Sequence, residues 1–341
     1  MIQLSTTSVE EYPSSTSWKE RLSQSRLTTQ ALLHYLELAS HPLANSEAEK
    51  LFELSVPPGY LKKIKKQDPL DPLLLQILPQ NQELIEVAGY TDNPLDEADY
   101  SPVKGLIHKY KHRVLLVASS TCAINCRYCF RRAFPYEEHR QSRSDWQNAL
   151  DYVRNNDQID EVILSGGDPL IQTNNALLWL LGEIDSIPHI KRIRIHTRIL
   201  TSLPERLDET LLNGLKALNT ALVIVTHCNH PNELGDELKP VFNQLRAINI
   251  TLLNQSVLLK DVNDNADTLT TLSKDLFQLG ILPYYLFLLD PVSGAAHFNV
   301  SEQKAKTLYA LLQSKLPGYL VPRLSIEIPG NPSKTLIKLS N

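Results

Sequence analysis

Six short apolar runs alternate with six amphipathic stretches between residues 113 and 316, and this alternation constrains the fold more than any other feature of the sequence. The apolar runs predict strands at 114–118, 161–165, 192–196, 222–226, 251–257 and 284–289. The amphipathic stretches predict helices at 145–154, 174–184, 204–218, 234–247, 266–279 and 301–316. Strict alternation predicts an α/β fold with parallel strands and right-handed crossovers. Six units favour a partial (βα)6 TIM-type barrel over a closed eight-stranded one.

The first hundred residues follow a different pattern. Residues 18–100 are helical in pattern, and the stretch 68–72 with two prolines breaks them. We predict an N-terminal helical cap over residues 1–100, the barrel over 101–320 and a C-terminal loop and tail over 321–341. A chain of 341 residues with 42% apolar content can bury a full core, either as one barrel with an appendage or as two domains.

Three of the four cysteines lie in one CxxxCxxC segment, directly after the first predicted strand. Cys122, Cys126 and Cys129 can bind three irons of a [4Fe–4S] cluster and leave the fourth iron open. An open iron can bind S-adenosylmethionine (SAM) and pass an electron to it. The spacing is therefore identified as the radical SAM signature, which indicates radical generation rather than electron storage.

Other uses of these cysteines fit the sequence less well. A structural zinc site needs a fourth ligand, and the candidates are Cys228, His108, His112 and His139. A disulfide framework cannot be built from three clustered cysteines and a distant one. Unligated core cysteines are disfavoured because polar residues interrupt the apolar pattern between them.

Each predicted strand ends in polar residues. In barrels of this class the active site forms at the carboxyl ends of the strands. The polar groups at these ends are the cysteine loop, Ser165 to Asp168, His196 to Arg198, Thr226 and His227, Gln255 and Ser256, and Asp290. One such residue would ordinarily be a cap or turn residue. Their coincidence at all six ends predicts one site built from several loops.

Two short segments add candidate ligand-binding groups. Gly166, Gly167 and Asp168 follow a strand, so bare backbone can approach a ligand there, although a simple turn explains the glycines as well. Beside the cysteine loop they resemble the radical SAM glycine motif that contacts the methionine part of SAM. The turn-rich loop 328–335 carries Lys334, whose amine could form a Schiff base if it is partly desolvated.

The overall charge limits the classes of partner. A net charge of −4 disfavours a nucleic-acid-binding protein, which would need a basic face. No apolar stretch reaches the length of a membrane span, and the first residues lack the pattern of a signal peptide. We therefore expect a cytoplasmic protein without a membrane or nucleic-acid partner.

Segments distributed over residues 100–335 together resemble the lysine 2,3-aminomutases, radical SAM enzymes that also use pyridoxal 5′-phosphate (PLP). The similar segments occur in the family order and are 113–116, 122–132, 164–168, 226–233, 254–259, 262–264, 283–285, 297–298 and the loop around Lys334. The resemblance is greatest to the short type that prepares β-lysine for elongation factor P, the EpmB-like enzymes. The long type continues past the PLP lysine with cysteines that help to bind zinc, whereas this sequence has no cysteine after Cys228.

The resemblance assigns roles to single residues. It implies that Cys122, Cys126 and Cys129 bind the cluster and that Lys334 binds PLP through its amine. Arg131 matches the arginine that pairs with the substrate carboxylate, a task that suits a planar bidentate donor.

Two carboxylates match those that receive the ε-ammonium group of lysine. Asp290 matches one of them directly. Glu327 stands where the family has an aspartate, and its extra methylene moves the carboxylate by about one C–C bond length. Substrate placement and product handedness depend on this difference.

The remaining matches concern cofactors. Lys109, Tyr110 and Arg113 lie where the family contacts PLP, and Lys109 replaces a family arginine. The residues that match the SAM side are Gly166, Gly167, Asp168, His227 and Gln255.

The resemblance implies an isomerase that interconverts free L-lysine and β-lysine, in the (R) form, for modification of a lysine of elongation factor P. It also implies a lysyl ligase downstream, an external electron donor and a possible homo-oligomer. Three alternatives stay open from the residues: an arginine or glutamate 2,3-aminomutase, a radical SAM enzyme without PLP, and a regulatory iron–sulfur protein.

Overall fold

The strands of this chain assemble in sequence order into one sheet. The computed structural model describes residues 17–133 and 142–339, and the sheet within them has nine strands. Strands β2 to β8 are parallel, whereas β1 and β9 pair antiparallel at the two edges. The strands are β1 Leu106–Tyr110, β2 Arg113–Ser119, β3 Glu161–Gly166, β4 Arg192–Thr197, β5 Ala221–His227, β6 Thr251–Val257, β7 Leu282–Phe287, β8 Arg323–Ile326 and β9 Thr335–Leu336.

The helices divide into an N-terminal group and a group that connects the parallel strands. The first group is α1 Trp18–Ser23, α2 Thr29–Tyr35, α3 Ser46–Leu51, α4 Pro58–Leu61 and α5 Pro72–Leu75. The second is α6 Arg143–Arg154, α7 Asn174–Asp185, α8 Ile199–Ser202, α9 Glu209–Lys216, α10 Lys239–Ala247, α11 Ala266–Gln278 and α12 Glu302–Lys315. Side-chain caps fix several starts, because the oxygens of Thr173, Asp208 and Asn265 accept backbone N–H groups of the first turn.

The two faces of the sheet differ in chemistry. Along β4, Ile193 and Ile195 are buried against the helices, whereas Arg194 and His196 alternate with them toward the inside of the barrel. The outward face of β2 to β6 thus packs with α6, α7, α9 and α10 in one large apolar cluster. The inward face carries polar groups, so the interior of the barrel can form a binding or active site.

The six predicted strand–helix units are confirmed, with three local corrections. The predicted helix 204–218 is shorter, because Asp208 caps α9 and residues 204–206 form a separate 3-10 turn. The predicted helix 234–247 begins at Lys239, after an extended Gly235 and another 3-10 turn. The predicted strand 284–289 ends at Phe287.

A fourth correction lies in the C-terminal tail, which was predicted as loop. Residues 323–326 form β8, a seventh parallel strand, and residues 335–336 form β9. Four residues are too few to give a periodic signal, so only pairing with β7 reveals this strand.

Residues 1–16, 134–141 and 340–341, including the zinc candidate His139, lie outside the described residues.

The N-terminal helices have a core of their own that also includes the cysteine loop. Ile124, between two of the cysteines, is buried among Leu32, Leu54 and Ile77. The backbone of Asn125 donates to the Ser55 carbonyl oxygen at 3.0 Å. This cap therefore supports the loop after β2, a role that the sequence did not indicate.

A buried ion cluster fixes the same loop. Arg127 Nε donates to Glu83 Oε1 at 2.9 Å, and both side chains are fully buried. Arg132 also pairs with Glu83, and the Arg127 guanidinium donates to the carbonyl oxygens of Phe52 and Ala48. One carboxylate thus pairs with two guanidinium groups and connects the N-terminal cap to the cysteine loop.

Among the described residues, no helix is long and apolar enough to cross a bilayer.

We expect Glu83→Gln to lower the free energy of unfolding by about 3–5 kcal/mol, because it leaves buried positive charge unpaired. Glu47→Gln, in the exposed pair with Lys50, is the matched control and should change it by less than about 1 kcal/mol. Urea unfolding of both variants measures the difference. Equal effects of the two substitutions would contradict the importance of the buried cluster.

Candidate active site

The residues predicted for the site converge at the carboxyl ends of the parallel strands. The charges that act on His196, near the end of β4, come from several of these residues. Burial lowers its pKa well below the ordinary value, and the charges of Arg194, Lys334 and Arg131 lower the pKa further. The cysteine side and the C-terminal lysine side of the barrel therefore face a common interior.

The three cysteines of the CxxxCxxC segment lie close enough for their charges to influence one another. Burial raises the pKa of the Cys122 thiol, and the neighbouring Asp168, Cys129 and Cys126 raise it further. Burial and the charge of Cys126 raise the pKa of the Cys129 thiol to about 11. Thiols that disfavour one another's ionisation become thiolates only if positive charge lies beside them. The irons of a multi-iron cluster supply that charge.

The three candidate fourth ligands for zinc that lie among the described residues are directed elsewhere. Cys228 is buried and its Sγ lies 3.5 Å from the His230 carbonyl oxygen. His108 contacts the Tyr152 hydroxyl and His112 the Gln158 carbonyl oxygen. No group of three His, Cys, Asp or Glu side chains converges on a single metal ion within residues 17–133 and 142–339. Three thiols on one loop fit a cluster better, because a cubane spreads its ligands over separate irons.

Gly166 and Gly167 allow the loop after β3 to contact the cysteine loop. Gly166 has φ +101°, and a Cβ on Gly167 would lie 2.3 Å from the Thr121 carbonyl oxygen. Gly167 N donates to the Ser119 carbonyl oxygen at 2.8 Å. The close approach of the segment before Cys122 thus explains why glycine occupies both positions, without reference to a ligand.

Asp168 holds the ends of β3 and β4 together. Its carboxylate accepts from Thr197 Oγ1 at 2.8 Å and from the backbone N–H groups of Arg198 and Ile199 at 2.7 and 3.0 Å. Burial raises the pKa of Asp168 despite these donors. In this structure the side chain serves to position the next loop, and contact with SAM stays a prediction.

Arg198 contacts the cluster loop directly. Its Nη1 donates to Cys126 Sγ at 2.7 Å and to the Tyr128 hydroxyl at 2.8 Å. Its Nη2 donates to Glu233 Oε2 at 2.9 Å and Gln76 Oε1 at 2.8 Å. The guanidinium places a buried positive charge beside one of the candidate cluster ligands.

Lys334 lies beside Glu327 in the barrel mouth. Lys334 Nζ donates to Glu327 Oε2 at 3.1 Å, and Lys109 Nζ donates to Glu327 Oε1 at 2.9 Å. The Tyr110 hydroxyl donates to the same oxygen. The charge of Lys334 and the bonds from Tyr110 and Lys109 lower the pKa of Glu327, although burial alone would raise it. One ionised carboxylate therefore gathers three of the groups assigned to PLP.

These contacts connect the two ends of the sheet. Lys109 and Tyr110 belong to β1, whereas Glu327 directly follows β8. Aromatic rings form the adjoining wall, because Lys334 Nζ lies 4.5 Å from the Phe287 ring centre and Tyr285 stacks on Phe287. An amine beside aromatic rings and cationic donors is suited to a flat, anionic carbonyl cofactor.

Arg131 is held by an acidic residue that the sequence did not single out. Its Nε donates to Glu97 Oε2 at 2.8 Å and its Nη2 to Glu97 Oε1 at 2.6 Å. Nη1 lies 3.4 Å from Ser165 Oγ, at the end of β3. The guanidinium is thus fixed at the rim between the cysteine loop and the glycine pair.

Asp290 lies past the end of β7, close to the same charges. Burial raises its pKa to about 7, while Lys334 lowers it and Glu327 and Glu97 raise it. Asp290 and Glu327 therefore belong to one group of charges around Lys334, in which Lys334 and Lys109 supply the positive charge.

The other predicted rim residues divide into two groups. His227 Nε2 lies 2.8 Å from the Tyr128 hydroxyl, and burial together with Arg198 lowers its pKa to about 3, so this imidazole is neutral. Gln255 pairs with His227 in the register of β5 and β6 and faces the interior. Thr226 and Ser256, in contrast, bond to Asn254 Oδ1 and the Cys228 carbonyl oxygen within the strand layer.

Sequence reasoning placed Arg198 among the polar residues at the strand ends but gave it no role, and it missed Glu97. Arg198 stands in a strand-end tripeptide, so its position gave a weak signal, but its partner Glu233 lies on another loop. Glu97 belongs to a segment with no periodic pattern, and only its contact with Arg131 identifies it.

The described residues fit both groups that the sequence implies. Three neighbouring thiols on one loop fit a [4Fe–4S] cluster with one open iron. Lys334, partly exposed beside Lys109 and Tyr110, fits PLP because it combines an amine with donors for a phosphate.

Comparison with known proteins gives a consistent result. Residues 116–271 match the family model described as the Radical SAM superfamily. The chain is 48% identical over 289 residues to the L-lysine 2,3-aminomutase of Haemophilus influenzae, covering 85% of this chain and 86% of that protein. It is 44% identical over 329 residues to the enzyme of that name from Escherichia coli, covering 96% of each. Identity to the one from Clostridium subterminale is 33%, over 93% of this chain and 77% of that protein.

We expect Gly167→Ala to destabilise the protein by about 1–3 kcal/mol and to lower its iron content, because the new methyl group overlaps the Thr121 backbone. Gly182→Ala, in α7 with no atom within 4 Å of the new methyl group, should stabilise by about 0.5–1 kcal/mol. Unfolding curves and iron analysis measure both. Full iron content and unchanged stability in Gly167→Ala would refute the close packing.

Proposed function

The chain belongs to the L-lysine 2,3-aminomutase family of the radical SAM superfamily, and we propose that it is an isomerase that moves the amino group of L-lysine from C2 to C3. The product is β-lysine, in the (R) form. Cys122, Cys126 and Cys129 hold a [4Fe–4S] cluster, SAM binds beside it, and Lys334 holds PLP.

One observation carries the choice of lysine: Lys334 lies at the same mouth as a buried pair of carboxylates and a fixed guanidinium. Arg131 suits an α-carboxylate, and Asp290 with Glu327 suits an ε-ammonium group. Glutamate fits poorly, because its second carboxylate would meet Asp290 and Glu327. Arginine as substrate is an outcome of the assay below.

When bound, the cluster with SAM supplies a hydrogen-abstracting radical, and PLP supplies a conjugated system for the migrating amino group. The residues of the chain do the rest by position and charge. Arg131 and Asp290 hold the two ends of the substrate so that its C2 and C3 lie between Lys334 and the cysteine loop. The buried strand ends exclude water, which protects a reactive intermediate.

Lys109, Tyr110 and Arg113 serve the phosphate side of PLP. The Arg113 guanidinium lies 4.1 Å from the Tyr110 ring centre, so two cations and a hydroxyl meet at the end of β1 and the start of β2. Lys109 and Tyr110 also donate to Glu327, so the phosphate side adjoins the carboxylate beside Lys334. Gly166, Gly167, Asp168, His227 and Gln255 are proposed for the SAM side, where the neutral His227 is a hydrogen-bond partner and not a charge.

The biological role that we propose is supply of β-lysine for modification of a lysine of elongation factor P by a lysyl ligase. The support is similarity: identity is 44–48% to the relatives of nearly equal length and 33% to the longer clostridial protein. An external reductant supplies the electron that starts the reaction, in the cytoplasm, and self-association is compatible with this scheme.

The test is anaerobic. Purified protein should contain iron and sulfide near four each per chain, and with SAM, a reductant, PLP and L-lysine it should form (R)-β-lysine. Borohydride should fix PLP on Lys334, and Lys334→Ala should abolish product whereas Lys338→Ala should not. Tightly bound zinc instead of iron, or turnover of arginine or glutamate without lysine, would refute the proposal.

The pKa of Asp290 predicts a pH dependence. With a pKa of about 7, its carboxyl group becomes protonated as the pH falls through 7 and then no longer attracts an ammonium group. We expect kcat/KM for lysine to rise between about pH 6 and 8 in the wild type. Asp290→Asn should bind lysine weakly and lack this rise. An identical profile in both proteins would assign the titration to another group.

A further inference from the structure

Residues 91–100 form a strap across the barrel mouth. Thr91 N donates to the Pro291 carbonyl oxygen at 2.9 Å, and Ser293 N donates to the Thr91 carbonyl oxygen at 3.0 Å. These bonds attach the start of the strap immediately after Asp290. Its end, a 3-10 turn at Glu97–Tyr100, reaches β1, where Lys109 Nζ lies 5.6 Å from the Tyr100 ring centre.

The strap directs the Glu97 side chain inward. Asp96 has φ +50°, a left-handed conformation that is uncommon outside glycine, and it turns the chain just before Glu97. The side chain of Glu97 is only 12% exposed and that of Arg131 only 5%. Most of the other strap residues are exposed. A mainly exposed segment thus contributes a buried carboxylate to the site.

From this geometry we propose that Glu97 is the positioning residue that holds Arg131 for the α-carboxylate of the substrate. The inference rests on the proposed function, because it requires Arg131 to bind that carboxylate. Glu97 touches neither cofactor nor reacting atoms and acts through Arg131.

The physical argument is preorganisation. A guanidinium carries five N–H groups, and Glu97 engages one on Nε and one on Nη2, which fixes both the plane and the rotation of the fork. Arginine otherwise loses much of its rotamer freedom when it is immobilised by a ligand. Because Glu97 imposes that cost during folding, the substrate carboxylate meets a donor that is already oriented.

The opposite possibility is that Glu97 competes with the substrate for Arg131 and must leave before the substrate binds. The two roles have opposite effects on substrate affinity. A positioning residue makes binding tighter, whereas a competitor makes it weaker. Both arms of the strap are tied, at Thr91 and at Tyr100, so Glu97 has little freedom to withdraw, and the geometry favours the positioning role.

The experiment compares two ligands of PLP-loaded protein, followed by the change in PLP absorbance. L-Lysine has the α-carboxylate and 1,5-diaminopentane lacks it. We expect Glu97→Ala to weaken L-lysine binding on the order of tenfold and to leave 1,5-diaminopentane binding, iron content and PLP content unchanged. Asp99→Ala, an exposed residue of the same 3-10 turn, is the control and should change neither ligand.

A second comparison separates coupling from general damage. In an Arg131→Met background, Glu97→Ala should cause little further loss of L-lysine binding, because the residue through which it acts is gone. Equal loss of both ligands, or tighter L-lysine binding, in Glu97→Ala would overturn the proposal. If wild-type protein does not distinguish the two ligands, the proposed function fails together with it.

Discussion

The arrangement of the site depends on the hydrogen bonds and ion pairs that the Glu327 carboxylate makes. It lies at the end of β8 and bonds to Lys109 and Tyr110 of β1, so it spans the two ends of an open sheet. The same carboxylate holds Lys334. Three donors on one buried carboxylate stabilise its ionised form against the cost of burial. Lys109 and Glu327, the two positions that the sequence resemblance predicts to differ from the family, thus lie in direct contact.

The opposite side of the mouth is built to hold the cysteine loop from two directions. The N-terminal cap fixes it through Arg127 and Glu83, and the glycine pair after β3 packs against its backbone. Buried ion pairs contribute little net stability compared with apolar packing, but they define one arrangement of the groups involved. The three thiols raise one another's pKa and so do not themselves hold the loop in one arrangement, which leaves that role to the surrounding contacts.

The sequence predicted the barrel because each of its strands is covered by helices and therefore reads as a short apolar run between amphipathic helices. The cysteine loop was predictable because its chemistry requires particular residue types at a particular spacing, whereas the role of Lys334 came from the family resemblance, since a single loop lysine carries no comparable signal. Strand β8 was not predictable, since four residues carry no period. The contacts of Arg198, the role of Glu97 and the support from the cap were not predictable either, because each depends on side chains that are distant in sequence and meet only in the fold. The positions of Glu327 and Lys109 were predicted, but their mutual contact required the structure.

The central claim is that a radical formed at the cysteine loop acts on lysine held at Lys334. The most direct measurement uses L-lysine deuterated at C3, incubated anaerobically with the reconstituted protein, SAM and a reductant. The account predicts deuterium at C2 of the β-lysine product and in the 5′-methylene group of recovered SAM, because the hydrogen removed from C3 passes through the SAM-derived fragment. β-Lysine that forms without any deuterium in SAM would contradict it.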